Sequence, residues 1–221
     1  MKEQKEKNNG GINYGVLIAI AIIASAFIGV RIYTKHLEKQ NMEALSRIIE
    51  KNPDFLSNRQ TSSNSNSKMI WKTYSNDILN FKYPAIYSIR TEKSGDMTQV
   101  YCEANENEDY AVINFTYIIN LDTKSLSTIE KRQRCINGIK EMQKPIEEEF
   151  NASFSQISSA ERGNLNGYTT TFEGDLYGLY EIQGEIFMCF HNNKAVAIAL
   201  QCEKGKSVEY VKKIIESIKV E

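Results

Sequence analysis

The sequence predicts an α+β protein: an antiparallel sheet with helices packed on it, preceded by one transmembrane helix. Three observations carry that prediction. An uncharged apolar run, GVLIAIAIIASAFIGV, occupies Gly15 to Val30. Between Trp71 and Asn120 apolar residues recur with period two in short segments, and after Ser127 the spacing becomes that of a helix. Around Asn192-Asn193 two strands are apolar on both faces, as in the middle of a covered sheet.

With Ile12, Tyr14, Ile32 and Tyr33 added, the apolar run covers residues 12–33. At 1.5 Å per residue that is about 33 Å of helix, enough to cross a hydrocarbon core. Tyr14 and Tyr33 fall where interfacial aromatics are favoured, and Arg31 can snorkel to the headgroups. Residues 1–11 are then a short tail. Lys2, Lys5 and Lys7 before the run balance Arg31, Lys35 and Lys39 after it, so flanking charge does not set the orientation. A short tail followed by a polar stalk is the pattern of a signal anchor, which places the N-terminus in the cytoplasm and the C-terminal domain outside the cell membrane. A cleaved leader is the rival reading, but a cut at Ala24-Ser25-Ala26 would fall inside the apolar run. Ala21, Ser25 and Gly29 lie at i, i+4, i+8 and form a small-residue face through which two such helices can associate.

Residues 34–52 continue as a juxtamembrane helical stalk, with Leu37, Asn41, Leu45, Ile48 and Ile49 on one side, and Asn52-Pro53 ends it. Its mixed charges favour a stalk or dimer seam over a helix lying on the membrane surface. Residues 53–68 are a linker. Within it SNRQTSSNSNSK, Ser57 to Lys68, has no apolar side chain to offset the entropy of ordering, and a dozen extended residues reach about 40 Å at most.

The soluble domain is residues 69–221. Trp71 to Tyr74 and Ile78 to Tyr83 flank the turn pair Asn76-Asp77 and predict an opening hairpin. Tyr87 to Thr91, Thr98 to Ala104 and Asp109 to Asn120 predict further strands, the last with Ala111, Ile113, Phe115, Tyr117 and Ile119 on one face. Ser127 to Glu130 is a capping box for a helix from Thr128 to Gln143, and Pro145 opens a short second helical segment. Phe154 to Ser159 and Tyr168 to Phe172 are strands around a turn region at Gly163 to Gly167. In Leu179 to Gln201, a two-residue loop at Asn192-Asn193 sets Cys189 opposite Val196, Phe187 opposite Ile198, Met188 opposite Ala197 and Ile186 opposite Ala199. Ser207 caps a closing helix whose Val208, Val211, Ile214 and Ile215 form its buried stripe.

The segment ILNFKYPAIY, Ile78 to Tyr87, resembles the "hydrophobic-x-tyrosine-proline-x-x-tryptophan" stretch that opens PsbP-like and DcrB-like domains, with Tyr87 where tryptophan is usual. The middle helix, the Asn-turn hairpin and the closing Ile-Ile-Glu-Ser-Ile, Ile214 to Ile218, are similar to that family's layout. The resemblance covers residues 69–221. It implies an α/β/α sandwich used mainly for binding or assembly, without a shared catalytic centre, and carries over no functional residues.

Charge excludes one class of partner. Residues 1–68 hold 10 Lys/Arg and 6 Asp/Glu, whereas residues 69–221 hold 17 and 22. The domain is mildly acidic and lacks a basic patch, so nucleic acid is not its partner. Cys102, Cys135, Cys189 and Cys202 have no metal-ligand spacing and read as buried thiols, although an oxidising compartment would permit disulfides. His36 and His191 have no evident partners; pairing His191 with Cys135 or Cys189 as a nucleophile is the weakest of the readings. The acidic runs Glu103 to Asp109 and Glu147 to Glu149 do not match a calcium loop. Nothing in the sequence calls for a cofactor or a metal. The aromatics Trp71, Tyr74, Tyr83 and Tyr87 are candidates for a binding surface, against the alternative that they pack the sheet. The expected function is a membrane-anchored, non-catalytic binding or assembly module of the cell envelope. Its partners are the lipid bilayer, another envelope protein and, through the anchor, a second copy. An envelope enzyme such as a hydrolase, and a self-associating structural protein, are the alternatives.

Overall fold

The computed structural model describes residues 69–104, 111–121, 123–176, 180–205 and 208–221. The anticipated anchor, stalk and linker lie outside the described residues, as does Ser207. Among the described residues no helix is long and apolar enough to cross a membrane.

The domain is an antiparallel, strand-rich fold with two described helices. The strands are β1 (Trp71–Ser75), β2 (Leu79–Pro84), β3 (Tyr87–Ser94), β4 (Met97–Ala104), β5 (Ala111–Ile118), β6 (Ser153–Phe154), β7 (Ser158–Arg162), β8 (Leu165–Leu176), β9 (Tyr180–His191), β10 (Lys194–Glu203) and β11 (Lys219–Val220). Helix α1 spans Thr128–Phe150 and α2 spans Val208–Glu216. The main sheet runs β3-β4-β5-β10-β9-β8-β6, with β7 also on β8. The opening hairpin does not join it. Instead β1 and β2 form a second sheet closed by the short β11, an element with too few residues to show a period.

The two faces of the main sheet carry separate cores. On one, Cys135, Ile139, Met142, Ile146 and Phe150 of α1 pack on Ile186 and Met188 of β9 and Phe172 of β8. On the other, Val211, Ile214 and Ile215 of α2, with Leu79 and Phe81 of β2, pack on Ile113, Phe115, Ile198 and Leu200. The β9–β10 register places Cys189 opposite Val196 and Met188 opposite Ala197, as the two-residue loop requires. Asn192 and Asn193 both have positive φ, 45° and 61°, the conformation such a tight hairpin turn needs.

Helix α1 differs from the expectation. Its capping box is present, with Glu130 N donating to Ser127 Oγ at 3.2 Å and Ser127 N donating to Glu130 Oε2 at 2.8 Å. Yet the helix does not stop before Pro145; it runs through to Phe150. Proline in a helix interior costs about 3 kcal/mol. Continuing, however, keeps Ile146 and Phe150 on the same buried stripe as Met142, and burying two such side chains offsets that cost. Tertiary packing overrides the local signal. Asn151 ends the helix in the left-handed conformation.

The β7–β8 turn ties the C-terminus down. Gly163 has φ +59°, and a Cβ there would sit 1.8 Å from the Ile218 carbonyl oxygen, so only glycine lets the two backbones meet. Asn164 then accepts from Val220 N at 2.9 Å and donates to Val220 O at 2.8 Å. One turn of the main sheet thereby clamps the strand that completes the small sheet.

Candidate functional site

The four predicted surface aromatics are all in one neighbourhood, at the edge of the core between the two sheets. Tyr87 is buried. Trp71, Tyr74 and Tyr83 are partly buried and pack against the same core. Trp71 meets Tyr210 of α2 edge-on, with centroids 6.4 Å apart. Tyr74 lies 5.2 Å from Phe81, and its hydroxyl is 3.2 Å from Thr91 Oγ1 on β3. The Ala21, Ser25 and Gly29 face lies outside the described residues.

The cysteines are free and buried, and burial pushes every thiol up from its ordinary pKa, Cys135 to about 12. A nucleophilic cysteine needs the opposite shift. His191 stays at its hairpin, where Nε2 lies 3.1 Å from Asn192 Nδ2. Among the described residues no group of His, Cys, Asp and Glu is placed to hold a metal.

A polar network occupies half of the face that carries α1. That helix packs on β8 and β9, and across β3, β4, β5 and β10 the same face presents rows of polar side chains. Glu92, Gln99 and Thr116 form one row; Arg90, Tyr101 and Asn114 the next; Ser88, Glu103, Val112 and Gln201 the third. Gln99 Nε2 donates to Thr116 Oγ1 at 3.4 Å, and Thr116 Oγ1 donates to Asn114 Oδ1 at 3.0 Å. Arg90 pairs with Glu92, stands 3.8 Å from Glu103 and lies 4.1 Å over the Tyr101 ring. Burial raises the Tyr101 pKa, and the Arg90 charge opposes the rise. Asn114, opposite Tyr101 on the β4–β5 ladder, also opposes the rise through its side chain. Gln99, Glu103, Asn114 and Thr116 alternate with apolar neighbours along β4 and β5, and all four are buried. The charges here are largely committed to one another, and what the network supplies is strand register. Replacing Thr116 with Val strands both Gln99 Nε2 and Asn114 Oδ1 and is expected to cost about 1–3 kcal/mol in urea unfolding, whereas Thr116→Ser keeps the hydroxyl and most of the stability.

The opposite face holds a cleft of about 320 Å³, where β8, β9 and β10 run out beyond α2. This is near the lower end of the range for small-ligand sites. Thr171, Glu173, Gln183 and Glu185 line its mouth, and Leu200, Cys202 and Val211 line its inner end. The mouth side chains share one face because Thr171 pairs with Glu185, and Glu173 with Gln183, across the β8–β9 ladder. Glu185 is 14% exposed and is held at one oxygen: Oε1 accepts from Thr169 Oγ1 at 2.6 Å and from Arg162 Nε at 2.8 Å, with Arg162 Nη2 at 2.5 Å. Glu173 pairs with Lys204 at 2.9 Å through Oε2. Gln183 Nε2 donates only to the Cys202 sulfur, at 3.6 Å. An apolar end with polar groups fixed at the mouth is an arrangement for holding a ligand in one orientation. Of these cleft residues the sequence singled out only Cys202, as a buried thiol, and Val211, on the buried stripe of the closing helix. The only available signal, Glu and Gln alternating along Glu181 to Glu185, is that of any solvated strand face.

No protein-family model matches the chain, and no curated protein matches it. Solved structures are similar to it. Cyanobacterial PsbP (CyanoP) from Synechocystis has 14% identity over 72% of this chain and 98% of its own, with a TM-score of 0.47. The Ran-binding protein Mog1p from Saccharomyces cerevisiae has 8% identity over 69% of this chain and 96% of its own, with a TM-score of 0.43. A protein from Bacteroides thetaiotaomicron has 12% identity over 65% of this chain and a TM-score of 0.43; the chain spans 45% of its length. At these identities nothing about activity or partners follows.

Proposed function

We propose that the chain is a membrane-anchored, non-catalytic binding or assembly module of the cell envelope. Residues 12–33 cross the bilayer with the N-terminus in the cytoplasm, and residues 34–68 tether a PsbP-like α/β/α domain outside. The anchors associate through Ala21, Ser25 and Gly29. The binding part of this reading is carried by the cleft beside α2, where an apolar end and a fixed polar mouth are built on adjacent strands of the main sheet. The inert state of the four thiols is in keeping with it, since burial opposes the thiolate that chemistry would need.

The test joins topology to partner. After carbonate washing of intact membranes, the protein is expected to remain in the pellet with residues 1–11 still attached, and crosslinking before extraction should recover one reproducible envelope protein. Release by carbonate of material beginning near Phe27 overturns the anchor. Turnover of a small substrate by the purified protein, with no crosslinked partner, overturns the binding role.

A further inference from the structure

We infer that the cleft beside α2 receives an arginine side chain from a partner polypeptide. The inference rests on the binding-module reading and names the chemistry of what is bound. It begins with a count of unspent hydrogen-bonding groups at the mouth. All the bonds Glu185 accepts from the described residues fall on Oε1, which leaves Oε2 open. Glu173 meets Lys204 through Oε2, leaving Oε1. Gln183 spends its amide nitrogen on a weak sulfur acceptor and keeps its carbonyl oxygen. The mouth is therefore rich in acceptors and poor in donors, and its complement is a donor-rich group.

Charge agrees. Glu173, Glu181 and Glu185 lie on this face of β8 and β9, and among the described residues their cations are Lys204, at 2.9 Å from Glu173 and 3.7 Å from Glu181, and Arg162, spent on Glu185. Among the described residues, three carboxylates thus face two cations, a balance that favours a cationic ligand. A metal ion does not fit, because these carboxylates do not converge as a metal site among the described residues. The acceptors are spread over two strands, which suits the planar, five-donor guanidinium better than the compact ammonium of lysine. Leu200, Cys202 and Val211 at the inner end supply apolar surface for the methylene stem.

The test titrates the full chain in nanodiscs with three blocked tripeptides that differ only in the central residue: arginine, norleucine or glutamate. Amide shifts of the β8 and β9 residues from Thr171 to Glu173 and from Gln183 to Glu185 report occupancy. The arginine peptide is expected to move these signals in a saturable way, at least about tenfold more tightly than the other two, as charge-assisted hydrogen bonds require. Glu185→Gln should remove most of that preference. Because it also alters the Arg162 pair, Thr171→Lys serves as the second variant: its ammonium lies on the exposed strand face at the mouth and should abolish binding without touching the core. Equal binding of all three peptides overturns the proposal, as does arginine binding that shifts other residues or survives Thr171→Lys. The crosslinked partner is measured in the same variants. Partner capture unchanged by Thr171→Lys removes the cleft while leaving the module reading intact. Saturable arginine binding at the cleft with no partner in membranes supports the cleft and overturns that reading.

Discussion

Raising the pH from about 8 to about 10.5 is expected to unfold the domain, and four buried thiols are the cause. Cys102, Cys135, Cys189 and Cys202 all have folded-state pKa values raised, chiefly by burial. In the unfolded chain a thiol titrates near 8.5. Above that pH the unfolded state releases protons that the folded state retains, so it binds fewer protons and stability falls as pH rises. The contribution is complete below the unfolded pKa and is lost on the way to the folded one. The slope is about 1.4 kcal/mol per thiol per pH unit. Cys102, Cys135 and Cys189 acting over two units reach about 8 kcal/mol, the scale of a whole folding free energy, and Cys202 adds in the same direction. Tyr101, raised in the same direction, adds to the loss above about pH 10. Trp71, the only tryptophan, provides the signal: its fluorescence should give a urea midpoint that is flat below pH 8 and falls steeply above 9. A thiol reagent should find no reactive cysteine in native protein at pH 8 and four after denaturation. A midpoint independent of pH between 8.5 and 10.5 would show that the thiols are not held neutral by the fold.

Those thiols also mark where the sequence was legible. Hairpin geometry alone gave the β9–β10 register, because two asparagines with a tolerance for positive φ leave one way to close the turn. The capping box and the strands from β1 to β5 were legible for the same reason: each depends on residues within a few positions of one another. What sequence did not disclose depends on distant partners. Pro145 reads as a boundary until Ile146 and Phe150 are seen to need burial against β8 and β9. Asn114 and Thr116 are polar at alternate positions of β5, and nothing near them in sequence announces that both are buried. The cleft is the extreme case, since Glu173, Gln183, Glu185 and Val211 come from three elements and no local rule joins them. The small sheet was missed because β11 has two residues, and its place is set by the Gly163-Asn164 turn, more than fifty positions earlier.

Phe81→Ala is expected to cost about 3–5 kcal/mol and to loosen the small sheet before the main one. Phe81 is fully buried and stands at the joint of the two sheets: its ring stacks on Phe115 of β5 with centroids 4.4 Å apart, and Tyr74 and Tyr83 lie 5.2 and 6.1 Å away. Removing it leaves a cavity with walls on both sheets, which cannot collapse from one side alone. Polar ties remain: Tyr74 Oη lies 3.2 Å from Thr91 Oγ1 of β3, Asn76 Nδ2 donates to Tyr117 Oη at 3.1 Å, Lys82 N donates to Ser217 Oγ at 2.8 Å, and the Asn164 pair holds β11. None of them replaces an aromatic contact area, so β1 and β2 should detach first, carrying Trp71 off Tyr210. The variant's Trp71 fluorescence should therefore shift at lower urea than its far-ultraviolet circular dichroism, while in the wild type the two transitions coincide. Phe81→Leu, which keeps most of the volume, should lose about 1.5 kcal/mol or less and stay two-state. Coincident transitions in Phe81→Ala would mean that the sheets form one cooperative unit held elsewhere. The same geometry explains why the Ile78 to Tyr87 segment speaks of architecture and not of an activity. Leu79, Phe81 and Tyr87 are buried where one sheet is fastened to another. A sequence pattern fixed by that joint reports architecture, whichever side chains line the cleft on the far side of α2.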